Sequence, residues 1–353
     1  MLPSPEYLRV TAHAPLRSSA AMSDSAITIA LSGPSGEPVN WARTLNSHGL
    51  TTLAPLFRRV EEASIEVTLA VGDGARTVVL APAPCDRDRD RDGAKSTDPP
   101  TLIATVEGRK PCAQHRSQIT QTLRHMLCLD EDLSDFYGQI ADDPQLAWAR
   151  SGAGRLMRSP TVFEDVIKTL CTTNCAWSGT VRMVDAIVAE LGAAAPGDGS
   201  KESKVGPQRR AFPSPAVMAK APESFYRDIA RAGYRGPYMR SIAEMVATGA
   251  LDLEALAAAS PDTLSDDELR ARLEELPGVG PYASAHIMLL IGRRSFLVLD
   301  SWTRPTYARI AGRKASDKAI ARRFSRYGDS AGLAFWLYVT QDWEDDGPLD
   351  KRR

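Results

Sequence analysis

No apolar run in these 353 residues comes near the roughly 20 that a membrane-crossing helix needs, and no membrane association is expected. Cysteine is sparse. Cys85, Cys112, Cys128, Cys171 and Cys175 are odd in number and scattered, which argues against a disulfide framework and suits a reducing cytoplasm. Cys171 and Cys175 stand one helical turn apart, but nothing around them supplies two further ligands, so all five are read as free thiols. Lysine is sparse too, 9 residues against 34 arginines; with the abundant alanine, this bias fits a GC-rich bacterial genome and says nothing about fold. Nor is there an excess of charge, since 43 basic residues face 44 acidic ones. That balance does not advertise a polyanion binder.

What is present is the composition of a globular protein, 43% hydrophobic and 25% charged, with chain enough for two or three cored domains. Residues 1–22 carry Pro, Ser and Ala without periodicity or a signal-like apolar core, so a disordered extension is expected, with Met22 as an alternative start. Residues 23–112 read as an antiparallel β-domain. Strand-like alternation runs through Ala26–Leu31, Ile65–Val71, Thr77–Leu80 and Thr101–Val106, with Gly72-Asp73-Gly74 as a hairpin turn. The 85–100 stretch, CDRDRDRDGAKSTDPP, is low-complexity and self-neutralising, as a solvated loop insertion would be. Helical periodicity starts near Gln114, and residues 113–353 are predicted to form an all-helical region. The fold class is therefore α+β.

Within that region, Phe163, Val166, Ile167 and Leu170 make an apolar stripe behind Ser159-Pro160, and a second helix is predicted from Thr180 to Leu191. Asn174 lies in the break between them, where an isolated Asn is commonly a cap or turn residue. Residues 193–210 read as a flexible connection. Gly233-Tyr234-Arg235 ends a short helix, and a tyrosine after a capping glycine often packs on its own helix. The most informative stretch is 269–290. Leu269, Leu273 and Leu276 share one helical face, Pro277-Gly278-Val279-Gly280-Pro281 breaks the helix, and a second begins at Ala283. Two glycines around one apolar residue allow a tight turn whose amides point outward, and the following helix N-terminus adds to the same patch. Phosphate is the natural guest of such a patch. An apolar segment, Ser295–Leu299, then ends in Asp300, which on its own would be read as an N-cap for Ser301-Trp302-Thr303. From Arg270 to Arg326, twelve Arg or Lys stand against four Asp or Glu, a local basic stripe that the net charge conceals.

LPGVG followed twenty residues later by a lone aspartate resembles the helix–hairpin–helix DNA glycosylase superfamily, whose members flip a damaged base from the duplex and cut its bond to the sugar. In that superfamily a lysine two residues after the second hairpin glycine marks enzymes that also nick the strand. Here Tyr282 stands there, and a phenol does not replace an amine that must form a Schiff base. The resemblance therefore implies a monofunctional base-excision enzyme without lyase activity, like the alkylated-purine (3-methyladenine type II) branch. It implies a monomer acting on double-stranded DNA and associated with a bacterial nucleoid. Asn174 matches the wedge asparagine of the 8-oxoguanine branch. Gly-Tyr-Arg also occurs there, implying that Tyr234 pushes into the base stack and Arg235 touches the orphaned base. Those features keep oxidised-purine excision as the alternative; from another class, the alternative is a non-catalytic DNA-binding helix–hairpin–helix protein. No four-cysteine cluster follows Asp300, so no iron–sulfur cofactor is expected.

The roles implied are as follows. Asp300 stabilises positive charge developing on the sugar and orients water. Trp177, Tyr282 and Trp302 form an aromatic pocket for an electron-poor purine. Amides of Gly278, Val279 and Gly280 hold phosphate, directly or through a bound monovalent cation, with Arg293, Arg304 and Arg309 nearby. His286, inside the second hairpin helix, is read as a core histidine or one supporting the site from behind.

Overall fold

The computed structural model describes residues 25–59, 62–84, 99–196 and 208–343. The extension expected at 1–22, nearly all of the 85–100 insertion, the middle of the 193–210 connection and the polar end after residue 343 lie outside the described residues.

Five strands, β1 (Ala26–Ala30), β2 (Leu56–Arg59), β3 (Ser64–Val71), β4 (Gly74–Pro82) and β5 (Thr101–Val106), form one antiparallel sheet in the order β1-β5-β4-β3-β2. Alternation sets the register, placing Val67 opposite Val78 and Ile27 opposite Ala104. The β3–β4 turn needs Gly72 at φ +60°, a left-handed conformation that a glycine adopts without penalty. Helices α1 (Trp41–Leu45) and α2 (Ala113–Met126) cover the sheet. Trp41, Leu45, Ile119, Leu123 and Met126 share one apolar core with Ile27, Val67, Leu80 and Leu102.

The remaining helices close around a second core. They are α3 (Ser134–Gln139), α4 (Val162–Thr172), α5 (Trp177–Leu191), α6 (Pro215–Lys220), α7 (Arg235–Ala247), α8 (Leu253–Ala258), α9 (Asp266–Glu274), α10 (Pro281–Leu290), α11 (Thr303–Ala311), α12 (Asp317–Phe324) and α13 (Ala331–Thr340). An antiparallel sheet followed by helices is the α+β arrangement predicted. α4 is buried along its whole length, and the Thr161 hydroxyl caps it by accepting from Glu164 N. α10 is buried from Ala283 to Leu290 and packs against both α9 and α4, which brings the hairpin up to the α4–α5 break.

Arg155 ties the two cores together. Its buried guanidinium donates to the Glu37 carboxylate at 2.6 Å, to Glu131 O at 2.7 Å and to Cys128 O. Truncating one member of such a pair leaves the other charge buried and unmatched, a loss of about 3–5 kcal/mol.

Candidate active site

The hairpin is fixed from both sides. Ser265 and Glu268 start α9 with a reciprocal capping box, and Ser284 of α10 donates to Glu274 at the end of α9 at 2.8 Å. Gly278 has φ +80°, and a Cβ there would meet the Tyr238 ring at 2.5 Å, so only glycine fits the turn. The amides of Gly278 and Gly280 have no acceptor among the described residues. Val279 differs from expectation: it is buried, and its N–H donates to Leu276 O at 3.0 Å, so its amide is committed inside the hairpin rather than offered outward. Pro281 at the first position of α10 removes one more donor and pre-sets the helix. The anion patch therefore consists of the two glycine amides and the first free amides of α10.

Asp300, one turn ahead of α11, is 9% exposed and serves as a cap with one oxygen only. Its Oδ1 accepts from Trp302 N at 2.8 Å and Thr303 N at 2.6 Å, while its own N–H donates to the Thr303 hydroxyl at 2.8 Å. Its Oδ2 is buried and accepts nothing from the described residues. A buried carboxylate oxygen without a protein donor is costly, and it is open to a water or a ligand as its partner. The cap reading and the functional reading thus fall on different oxygens of one group.

Tyr282 lies beside it. The phenol contacts the Thr172 hydroxyl of α4 at 3.3 Å and His286 Nδ1 at 3.5 Å. Burial raises its pKa far above the ordinary value, and the Asp300 charge raises it further; the Thr172 contact offsets part of this. It stays a neutral phenol. His286 is fully buried and neutral, its pKa lowered to about 4 by burial. Its ring joins Tyr282 (5.9 Å between centroids) to Trp336 (5.9 Å), and Trp302 and Trp343 continue the series at 6.1 and 5.4 Å. Two of the three expected pocket aromatics, Tyr282 and Trp302, therefore meet in one cluster. Trp177 stands apart from it: buried in the helical core, it makes no ring contact with that series. A cleft of about 530 Å³ opens alongside, lined by Tyr282, Phe296, Leu297, Leu299, Arg270 and Arg304 among others. It reaches the Asp300 end of the apolar segment through Leu299, while Asp300 itself does not line it and Oδ2 stays covered.

The α4–α5 break presents Asn174 to solvent at φ +43°, with its amide donating to the Tyr234 hydroxyl at 3.4 Å. Tyr234 is 51% exposed. Arg235 does not face outward as the resemblance implied. It is buried, stacks its guanidinium 4.5 Å from the Tyr234 ring centroid, and donates to Thr173 O and Ala232 O. Held that way, it fixes the backbone just before Asn174. The expected phosphate arginines also divide. Arg293 is buried and fully used by Asp266, Ala259 O and Leu264 O, so it is a structural residue of the hairpin's base. Arg304 is bidentate on Asp317 at 2.8 Å and Arg309 pairs with Asp342 at 3.1 Å, yet both guanidinium groups remain on the surface. Much of the basic stripe is thereby neutralised internally, Arg270, Arg294 and Arg326 being paired as well.

No protein-family model and no curated protein matches the sequence. Solved structures do match in shape. A 3-methyladenine DNA-glycosylase from Archaeoglobus fulgidus superposes with TM-score 0.63 at 18% identity, over 89% of this chain and 97% of that one. MBOgg1 in complex with a low-affinity DNA ligand gives 0.62 at 16%, over 90% and 96%. The Clostridium acetobutylicum 8-oxoguanine glycosylase/lyase, bound to duplex DNA with cytosine opposite 8-oxoG, gives 0.58 at 18%, over 82% and 88%. The fold is that of the DNA glycosylases. In this glycosylase fold the sequence reading missed Thr172, Trp336 and Trp343. Trp336 sits in the uniformly apolar run LAFWLY, where nothing marks it off from core, and Thr172 becomes visible only once α4 and α10 are packed together.

Proposed function

We propose that this chain is a monofunctional DNA glycosylase that flips an alkylated purine from duplex DNA and hydrolyses its bond to the sugar. The observation that carries the proposal is Asp300, with one oxygen held rigidly by two backbone N–H groups and the other buried without a donor among the described residues, its charge near enough to Tyr282 to raise the phenol's pKa. As the base departs, positive charge grows on the sugar, and a fixed carboxylate in a low-dielectric site stabilises it without reorganising. The same oxygen orients water for attack. Tyr282 cannot supply an amine, so no covalent sugar adduct forms and the strand stays intact. The faces of Tyr282 and Trp302 favour an electron-poor ring over a neutral one. Hairpin amides grip a phosphate near the lesion, and Asn174 with Tyr234 fills the gap left in the stack.

Oxidised-purine excision is the second reading, favoured by the Asn174–Tyr234 contact on the wedge face. Duplex oligonucleotides carrying 3-methyladenine, 1,N6-ethenoadenine, hypoxanthine, 8-oxoguanine or uracil separate the cases. We expect release of an alkylated base with strand cleavage only after alkali. Release of 8-oxoguanine alone moves the enzyme to the second reading. No release from any duplex, with binding retained, makes the protein a non-catalytic DNA binder.

A further inference from the structure

We propose that Arg231 docks on a backbone phosphate of the duplex beside the wedge, an assignment that rests on the DNA glycosylase reading above. The turn after the π-helical segment Phe225–Ile229 and the first residue of α7 carry two arginines with opposite fates. Arg235 is 7% exposed and turned inward onto Thr173 O at 3.0 Å, so it is committed to the protein. Arg231 is exposed, and no described residue pairs with its guanidinium. It sits between two of the chain's outward apolar side chains, Ile229 at 52% and Tyr234 at 51% exposure.

Its backbone is the second observation. Arg231 has φ +52°, the left-handed region that an L side chain adopts only against steric resistance. Asn174, at φ +43°, is another such residue, and its amide reaches Tyr234 three positions beyond Arg231. At Arg231 that conformation closes the π-helical segment, Ala230 N–H donating to Phe225 O at 2.9 Å and Ala232 N–H to Tyr226 O at 2.8 Å, a helix end where glycine is the common residue. Glycine there would cost the fold less, yet the chain places a long, unpartnered cation on the strained position. A phosphate fits better than a base. Most protein–DNA hydrogen bonds go to the backbone, the guanidinium fork matches phosphate oxygens, and the neighbouring Asn174 and Tyr234 already occupy the base-facing position.

The test uses the full chain and Arg231→Gly and Arg231→Lys variants. Each is titrated against a duplex with a stable abasic-site analogue between 50 and 200 mM salt, values at which phosphate contacts are separable. Arg231→Gly should melt no lower than the wild type and bind about tenfold more weakly, with the log–log salt slope shallower by about 0.9. Arg231→Lys should keep the slope. Arg231→Gly binding with unchanged affinity and slope overturns the assignment and leaves the glycosylase reading standing. A loss seen with only one base opposite the lesion also overturns it, because that marks a base contact. Wild-type protein with no salt-dependent affinity for duplex DNA overturns both.

Discussion

The division of labour within Asp300 makes a two-variant experiment unusually informative. In Asp300→Asn the amide oxygen can still accept from Trp302 N and Thr303 N, so the cap survives; the lost negative charge at the start of α11 costs under about 1 kcal/mol. In Asp300→Ala both donors lose their acceptor, which costs about 2 kcal/mol, the upper part of the range for a lost cap. For a chain of 353 residues unfolding as one unit, this lowers the melting temperature by roughly 3 °C for alanine and under about 1.5 °C for asparagine. Catalysis should respond differently. Both variants lose the fixed charge that opposes the cationic sugar, a loss of about 10²–10³-fold in the chemical step. Single-turnover release of a methylated purine from a duplex reads the rate, and a thermal melt reads the cap. Equal melting temperatures for the two variants would refute the cap geometry. Wild-type excision by Asp300→Asn would refute the catalytic role, whatever the melts show.

Other outcomes follow from the same geometry. Gly278→Ala forces an alanine to φ +80° and against Tyr238, so it should destabilise by about 1–2 kcal/mol or more and weaken duplex binding; unaltered binding would dissociate the hairpin from phosphate. Tyr282→Phe removes two long hydrogen bonds, at 3.3 and 3.5 Å, and should change excision only a few-fold; a hundredfold loss would make the phenol a participant in the chemistry. Burial lowers the pKa of His48 to about 3 and of His286 to about 4, so the folded state holds both neutral. Above pH 6.5 neither state binds the protons. As pH falls below it, the unfolded chain gains them and the folded one does not, so stability declines until the folded values are reached. The loss from His286 alone is on the order of 3 kcal/mol by pH 4. Melting curves between pH 7 and 4.5 should show the decline, with a shallower slope for the His48→Gln/His286→Gln double variant; parallel slopes would assign the decline to other groups.

The parts of this protein that were legible in the sequence are those set by local periodicity. The β3–β4 hairpin, β5, the α4–α5 pair and the α9–α10 hairpin all announce themselves by alternation, helical stripes or glycine spacing. β2 was missed because Leu56-Phe57-Arg58-Arg59 has no alternation, and its pairing with β3 is set instead by contacts such as Arg59 on Glu66. The end of a chemical motif was easier to see than its surroundings. Asp300 and Tyr282 follow from distance along the chain, whereas Thr172 and Trp336 reach the same place from α4 and α13, far away in sequence. Arginine roles were the least legible. Arg293 and Arg235 read as surface cations, and only their partners on Asp266 and Thr173 O reveal that they build the scaffold.

Three of the chain's six tryptophans, Trp302, Trp336 and Trp343, touch one another directly behind the acid. Light absorbed by any of them is shared among neighbours 5–6 Å away, so about half of the tryptophan emission reports on this one spot. A nucleobase laid against Trp302 should dim that glow, which gives an optical handle on base capture that works before any bond is cut and needs no label on either partner.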